Sequence, residues 1–150
     1  MRDHLTTDSS LEAADRIREW LESRLSAAGI DEQSVSHVML AASEVATNIS
    51  RHAYGGATTG RIQASLALRP HEVRLTLTHY GEPFDRAACP TPDLDLPHEG
   101  GYGIFLVEAL MDEVAYDMNR PDGHRVVLIK RLQGQMTGAS RYNAPDEPDP

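Results

Sequence analysis

Basic residues are scarce in this chain, cysteine is nearly absent, and no long apolar run occurs. Against 23 acidic residues stand 14 basic ones, a formal net charge of −9. Binding nucleic acid needs a basic footprint on the phosphates, so nucleic acid is excluded as a main partner. An acidic surface suits solubility or a basic protein partner. Cys89 is the single cysteine, which rules out an internal disulfide and a cysteine-based metal cluster. No stretch approaches the ~20 apolar residues of a membrane span. The opening Met1-Arg-Asp-His-Leu-Thr-Thr-Asp8 lacks the apolar centre of a signal peptide. The expectation is a cytoplasmic protein with no membrane partner.

What is present suffices for one domain, since 150 residues can bury a real core. Leu11, Ala14, Ile17, Leu21, Leu25 and Ala28 recur at helical spacing. They predict a first helix capped by Ser9 or Ser10 and stopped at Gly29. Asp31 caps a second helix, which is predicted to run to about Tyr54 and end at Gly55-Gly56. The period then becomes two. Ile62, Ala64, Leu66 and Leu68 share one face, a turn follows at Arg69-Pro70-His71, and Val73, Leu75, Leu77 and His79 share the next. Four prolines break the stretch from Gly81 to Glu99, which reads as a lid or binding loop. A third helix opens at Gly100-Gly-Tyr-Gly103. Val114, Tyr116 and Met118 suggest a strand, and the run from Val126 to Arg131, apolar on both sides through Ile129, reads as a central one. Residues 1–132 form the domain, and 133–150 are expected to be a disordered acidic, Pro-rich tail. The fold class is α+β: a two-layer sandwich with a mostly antiparallel mixed sheet covered on one face by three helices.

Three constellations carry chemistry. The first is Glu44, Asn48 and His52, spaced four apart on the second helix. At about 100° per residue, Glu44 lies roughly 100° from Val45, Asn48 roughly 60° and His52 roughly 20°. Val45 belongs to the apolar line Val38, Ala42, Val45, Ile49, so the stripe climbs into the face to be buried. An Asn oxygen can ligate Mg²⁺ and a Glu can act as a base. A solvated flank with a hydrogen-bonded core-edge histidine explains the same pattern. The second is His79-Tyr-Gly-Glu-Pro-Phe-Asp85, where Gly81 permits close backbone approach to a planar ligand or simply a strand-end turn. The third is the glycine box at a helix start, which exposes amides to anions or serves as a hinge.

In this order and spacing the chain resembles the anti-sigma-factor serine/threonine-protein kinases, the small single-domain branch of the histidine-kinase-like ATPases with the Bergerat (GHKL) fold. Leu40-Ala-Ala-Ser-Glu-Val-Ala-Thr-Asn-Ile-Ser-Arg-His-Ala-Tyr54 looks like that family's N box, Gly81-Glu-Pro-Phe-Asp85 like the tail of its G1 box, and Gly100 to Asp112 like its G2 box and following helix. The resemblance implies ATP and Mg²⁺ as cofactors. It implies Glu44 as catalytic base and Asn48 as metal ligand. Implied nucleotide contacts are His52, Tyr54, Gly81 and Phe84, then Gly101, Tyr102, Gly103 and Ile104. The stretch from Arg86 to Glu99 stands where the family has its ATP lid. The implied partners are a sigma factor, an anti-sigma antagonist of STAS-domain type whose serine is phosphorylated, and a second copy in a homodimer.

Two positions depart from the family pattern. His79 stands where an Asp accepts from the adenine amino group, and Arg125 is matched to the Thr that supports that Asp in some members. Losing such a contact costs on the order of 1–3 kcal/mol, or ~10–100-fold in affinity. A nucleotide-independent binding module that keeps the partner surface is therefore the alternative. A detached catalytic domain of a two-component histidine kinase fits less well, because the chain has no room for a phosphoacceptor helix pair.

Overall fold

The computed structural model describes residues 1–88 and 102–133. Most of the expected lid and, but for residue 133, the expected tail lie outside the described residues. The elements run β1 (Arg2–Asp8), α1 (Ala13–Ala27), α2 (Glu32–Asn48), a π turn (Ile49–Ala53), β2 (Arg61–Arg69), β3 (Glu72–His79), a short 3₁₀ turn (Arg86–Ala88), α3 (Tyr102–Leu110), β4 (Glu113–Asp117) and β5 (His124–Arg131). The sheet order is β1-β2-β3-β5-β4. Among the described residues every pairing is antiparallel, where the expectation was a mostly antiparallel mixed sheet. β5 is an interior strand, as its two-sided apolar pattern predicts.

Period two in β2 and β3 works as expected. Ile62, Ala64, Leu66, Leu68, Val73, Leu75 and Leu77 are buried on the helix side, in one core with Ile17, Leu21 and Leu25 of α1 and Val38, Ala42 and Val45 of α2. Asp31 caps α2 by accepting from the Ser34 amide at 2.9 Å. Gly29 (φ 76) closes α1 in the left-handed region. Among the described residues no helix is long and apolar enough to cross a membrane.

The N-terminus differs from expectation. Arg2–Asp8 is an edge strand paired with β2, so Ser9 and Ser10 do not cap α1, whose N-cap is Glu12 with no side-chain cap bond. Ser9 is buried instead, donating to the Ala57 carbonyl and accepting from the Gly60 amide. Leu11 is exposed and Trp20 takes its place in the core. The strand escapes a hydrophobic pattern because its inward residues are Asp3, Leu5 and Thr7. Asp3 is satisfied by the Trp20 indole N–H at 2.9 Å and by Arg24, and an inward charge suits an edge strand.

Candidate functional site

α2 carries Val38, Ala42 and Val45 into the core, with Ile49 following at the start of the π turn. Glu44 and Asn48 ride half-buried on its flank. The stripe does not continue as a straight helix predicts. From Ile49 the backbone widens, and the Tyr54 amide bonds the Ile49 carbonyl five residues back at 3.1 Å. Each residue then advances by less than in an α-helix, so His52 lags toward the flank. It is exposed rather than buried among apolar side chains. Gly55 and Gly56, at φ 59 and 84, end the turn.

α3 meets α2 at Gly103. A Cβ there would lie 2.9 Å from Glu44 Oε2 and 3.6 Å from Asn48 Nδ2. The glycine therefore brings the α3 backbone against the two side chains singled out on α2. Gly101 lies outside the described residues, and Tyr102 is the first residue of α3.

Across the cavity stands His79, the last residue of β3. It is 1% exposed and its Nδ1 has no hydrogen-bond partner. Burial pushes the imidazole down to about 4, and nearby His124 adds to the effect. His79 is neutral at pH 7. In register opposite it is His124, with ring centroids 5.3 Å apart. Arg125, matched from sequence to the supporting position, pairs with Thr78 on the other face of the sheet and bonds Asp122 at 2.6 Å. Alternation turns it away from the cavity.

The space beside Gly81 where a side chain would stand is taken by the protein's own backbone. A Cβ on Gly81 would lie 2.3 Å from the Ala53 carbonyl oxygen, and the next amide, of Glu82, bonds that oxygen at 2.7 Å. The glycine lets the chain beyond β3 dock onto the π turn. Tyr54 is likewise engaged by protein. Its hydroxyl donates to the Arg61 carbonyl at 2.6 Å and accepts from the Tyr80 amide at 2.8 Å, while its ring meets His79 edge-on at 6.1 Å.

These elements enclose a cavity of about 400 Å³. Val45, Ile49, Ala53, Ile104 and Val126 give it apolar walls; Asn48, His52, His79 and Gly103 line it with them. One side is the segment Glu82 to Asp85 with Tyr116 of β4. Phe84 packs on Tyr116 at 5.0 Å. Arg86 grips Glu108 of α3 through two bonds of 2.7 and 2.9 Å, and Tyr116 donates to the same carboxylate at 3.3 Å. Hydrogen bonding to Arg86 holds the Glu108 carboxyl below its usual range. The structure thus gathers Asn48, His52, His79, Phe84, Gly103 and Ile104 around one space, with Glu44 beside Gly103, while Gly81 and Tyr54 buttress it from behind. Sequence reasoning missed His124, Tyr116 and the Arg86–Glu108 clasp. The β3–β5 register would have found His124.

The chain resembles known proteins over most of its length. The family described as "Histidine kinase-like ATPase domain" matches residues 7–130. Serine-protein kinase RsbW of Staphylococcus aureus is 30% identical over 115 residues, which is 71% of this chain and 72% of that one. Serine-protein kinase RsbW of Oceanobacillus iheyensis is 29% identical over 129 residues, 81% and 73% of the two chains. The crystal structure of the RsbU and RsbW domains of a Mycobacterium tuberculosis protein superposes with a TM-score of 0.66 at 24% identity. It covers 90% of this chain, which spans 33% of that longer one, and it shows the fold.

Proposed function

The chain belongs to the histidine kinase-like ATPase domain family, in the branch of the RsbW serine-protein kinases, and from that premise we propose that it is an ATP- and Mg²⁺-dependent protein serine kinase that also sequesters a sigma factor. The phosphate acceptor is a serine of a small anti-sigma antagonist of STAS-domain type, and the protein works as a homodimer in the cytoplasm.

One observation carries this reading: Gly103 brings α3 against both Glu44 and Asn48 beside a cavity with apolar walls. The residues present fit a nucleotide with its metal. Apolar walls suit the faces of a purine, and buried His79, whose Nδ1 makes no hydrogen bond, lines the same space as a polar ring. The first turn of α3, which Gly103 sets against Asn48, carries the partial positive charge that favours phosphates. Among the described residues no group of three or more His, Cys, Asp or Glu could hold a metal. A metal here would rest on the Asn48 amide oxygen and on phosphate oxygens, as suits Mg²⁺. When bound, Mg-ATP supplies the transferable phosphoryl group and the cation that neutralises charge developing on it.

The chain's own residues do the rest. Glu44 is the base that takes the proton from the attacking serine hydroxyl. Asn48 would hold the metal, and Phe84 and Ile104 line the space for the purine ring. The test is transfer of labelled γ-phosphate to an antagonist protein bearing a serine. The native protein labels it, Glu44→Gln lowers the rate by about 10²-fold or more, and a serine-to-alanine antagonist takes no label. Equal labelling by Glu44→Gln contradicts the assigned base.

The second reading, a nucleotide-independent binding module, draws on His79 in place of a carboxylate. It predicts that partner binding is the same with and without Mg-ATP.

A further inference from the structure

We infer that the pocket accepts 6-oxo as well as 6-amino purine nucleotides, because the residue that reads the base is a histidine free to present either a donor or an acceptor. This rests on the nucleotide reading proposed above and adds the class of base to it.

The walls cannot make the choice. Val45, Ile49 and Val126 are apolar and contact the flat face of any purine alike, without a hydrogen-bonding code. Among the polar side chains lining the cavity, His79 is the one that is buried; Asn48 and Tyr116 are half-buried, while His52, Glu82 and Asp85 are exposed. A group that discriminates between bases must be shielded from water, because an exposed partner is replaced by solvent at little cost. Among these side chains, only His79 meets that condition.

Its chemistry is two-faced. A neutral imidazole carries one N–H donor and one bare acceptor nitrogen, and tautomer exchange swaps them. The hydrogen bond made by one nitrogen ordinarily fixes the proton on the ring. No such bond is made to Nδ1 of His79. The neighbouring ring behaves differently: His124 Nδ1 accepts from the Asn119 amide at 2.9 Å, so neutral His124 bears its proton on Nε2. His79 can thus accept from an exocyclic amino group in one tautomer and donate to a carbonyl in the other. A carboxylate at this place could only accept, and would turn a carbonyl away.

The experiment is calorimetric titration of the full-length protein with Mg-ATP, Mg-GTP and Mg-ITP, repeated on His79→Asp and His79→Asn. In the native protein the ATP and GTP dissociation constants lie within about fivefold of each other. His79→Asp moves the ratio to about 30-fold or more in favour of ATP. His79→Asn also bears a donor and an acceptor, so it keeps the native ratio and supplies the answer where a buried aspartate prevents folding. A native preference for ATP beyond about 30-fold overturns the inference and leaves the nucleotide reading standing. A folded His79→Asp that still binds both nucleotides alike overturns His79 as the determinant. Native protein that is folded and binds none of the three overturns the nucleotide reading, and the inference falls with it.

Discussion

Gly103 of α3 stands where a side chain would meet Glu44 of α2: a Cβ would lie 2.9 Å from Glu44 Oε2. That atom is the far end of a flexible side chain, so it can swing away at little cost to folding. Alanine also has fewer unfolded conformations to lose than glycine at a helical position, which favours folding by about 0.4–1 kcal/mol. Gly103→Ala is expected to leave the melting temperature unchanged or raised, while displacing Glu44 and reducing phosphotransfer about tenfold or more. Thermal melts and initial rates on one preparation check the split. A variant that melts early and keeps its rate contradicts it.

Gly81 is the opposite case. The neighbour of its missing side chain is the Ala53 carbonyl at 2.3 Å, with the carbonyl carbon at 2.6 Å. Both are backbone, fixed by the π turn and by the Glu82 amide. Gly81→Ala is expected to destabilise by roughly 2–3 kcal/mol. Urea unfolding reads this, with a native-like midpoint as the contrary result.

His79 links stability to pH. Its folded pKa is lowered from 6.5 to about 4 by burial. The unfolded chain takes up the proton first as pH falls, so stability is full above 6.5 and is lost between 6.5 and about 4. The loss is roughly 3 kcal/mol by pH 4, at about 1.4 kcal/mol per unit of pKa. Urea titrations at pH 7, 5.5 and 4 should show this slope, reduced in His79→Asn. A His79 ring signal that titrates near 6.5 in the native protein contradicts the assignment.

Asp3 ties β1 to α1 through Trp20 and Arg24. Hydrogen bonding to Arg24, then to Trp20, lowers its pKa from 3.8 to about 2. Its contribution is full above 3.8 and disappears as pH falls through about 2. Asp3→Ala is expected to speed amide exchange in β1, at Leu5 and Thr7, while global stability changes by less than about 1 kcal/mol because the pair is near the surface. Unaltered exchange in β1 counts against the clasp.

Patterns with a strong period were legible in the sequence. Ile62 to Leu68, Val73 to His79 and Val38 to Ile49 fell on the faces their spacing predicts, because burial decides those faces. β1 was not legible, since its inward Asp3 is satisfied by a partner 17 residues away. Nor was the π turn, because Ile49 to Ala53 reads as ordinary helix and its contact with Gly81 joins residues far apart in the chain. The candidate site was legible in its polar members Glu44, Asn48 and His79. The two roles open to Gly81 could not be separated in the sequence, because a glycine's need for space does not say whether a ligand or the protein's own backbone fills it. His124 needed the β3–β5 register, which no local signal carries.

The most direct test of the nucleotide pocket is a calorimetric titration of Mg-ATP into native protein and into Asn48→Ala. Saturable binding to one site per chain, weakened about tenfold or more in Asn48→Ala, is the predicted result. No binding at millimolar Mg-ATP, by a folded protein that still captures its protein partner, contradicts the account and leaves the binding-module reading in its place.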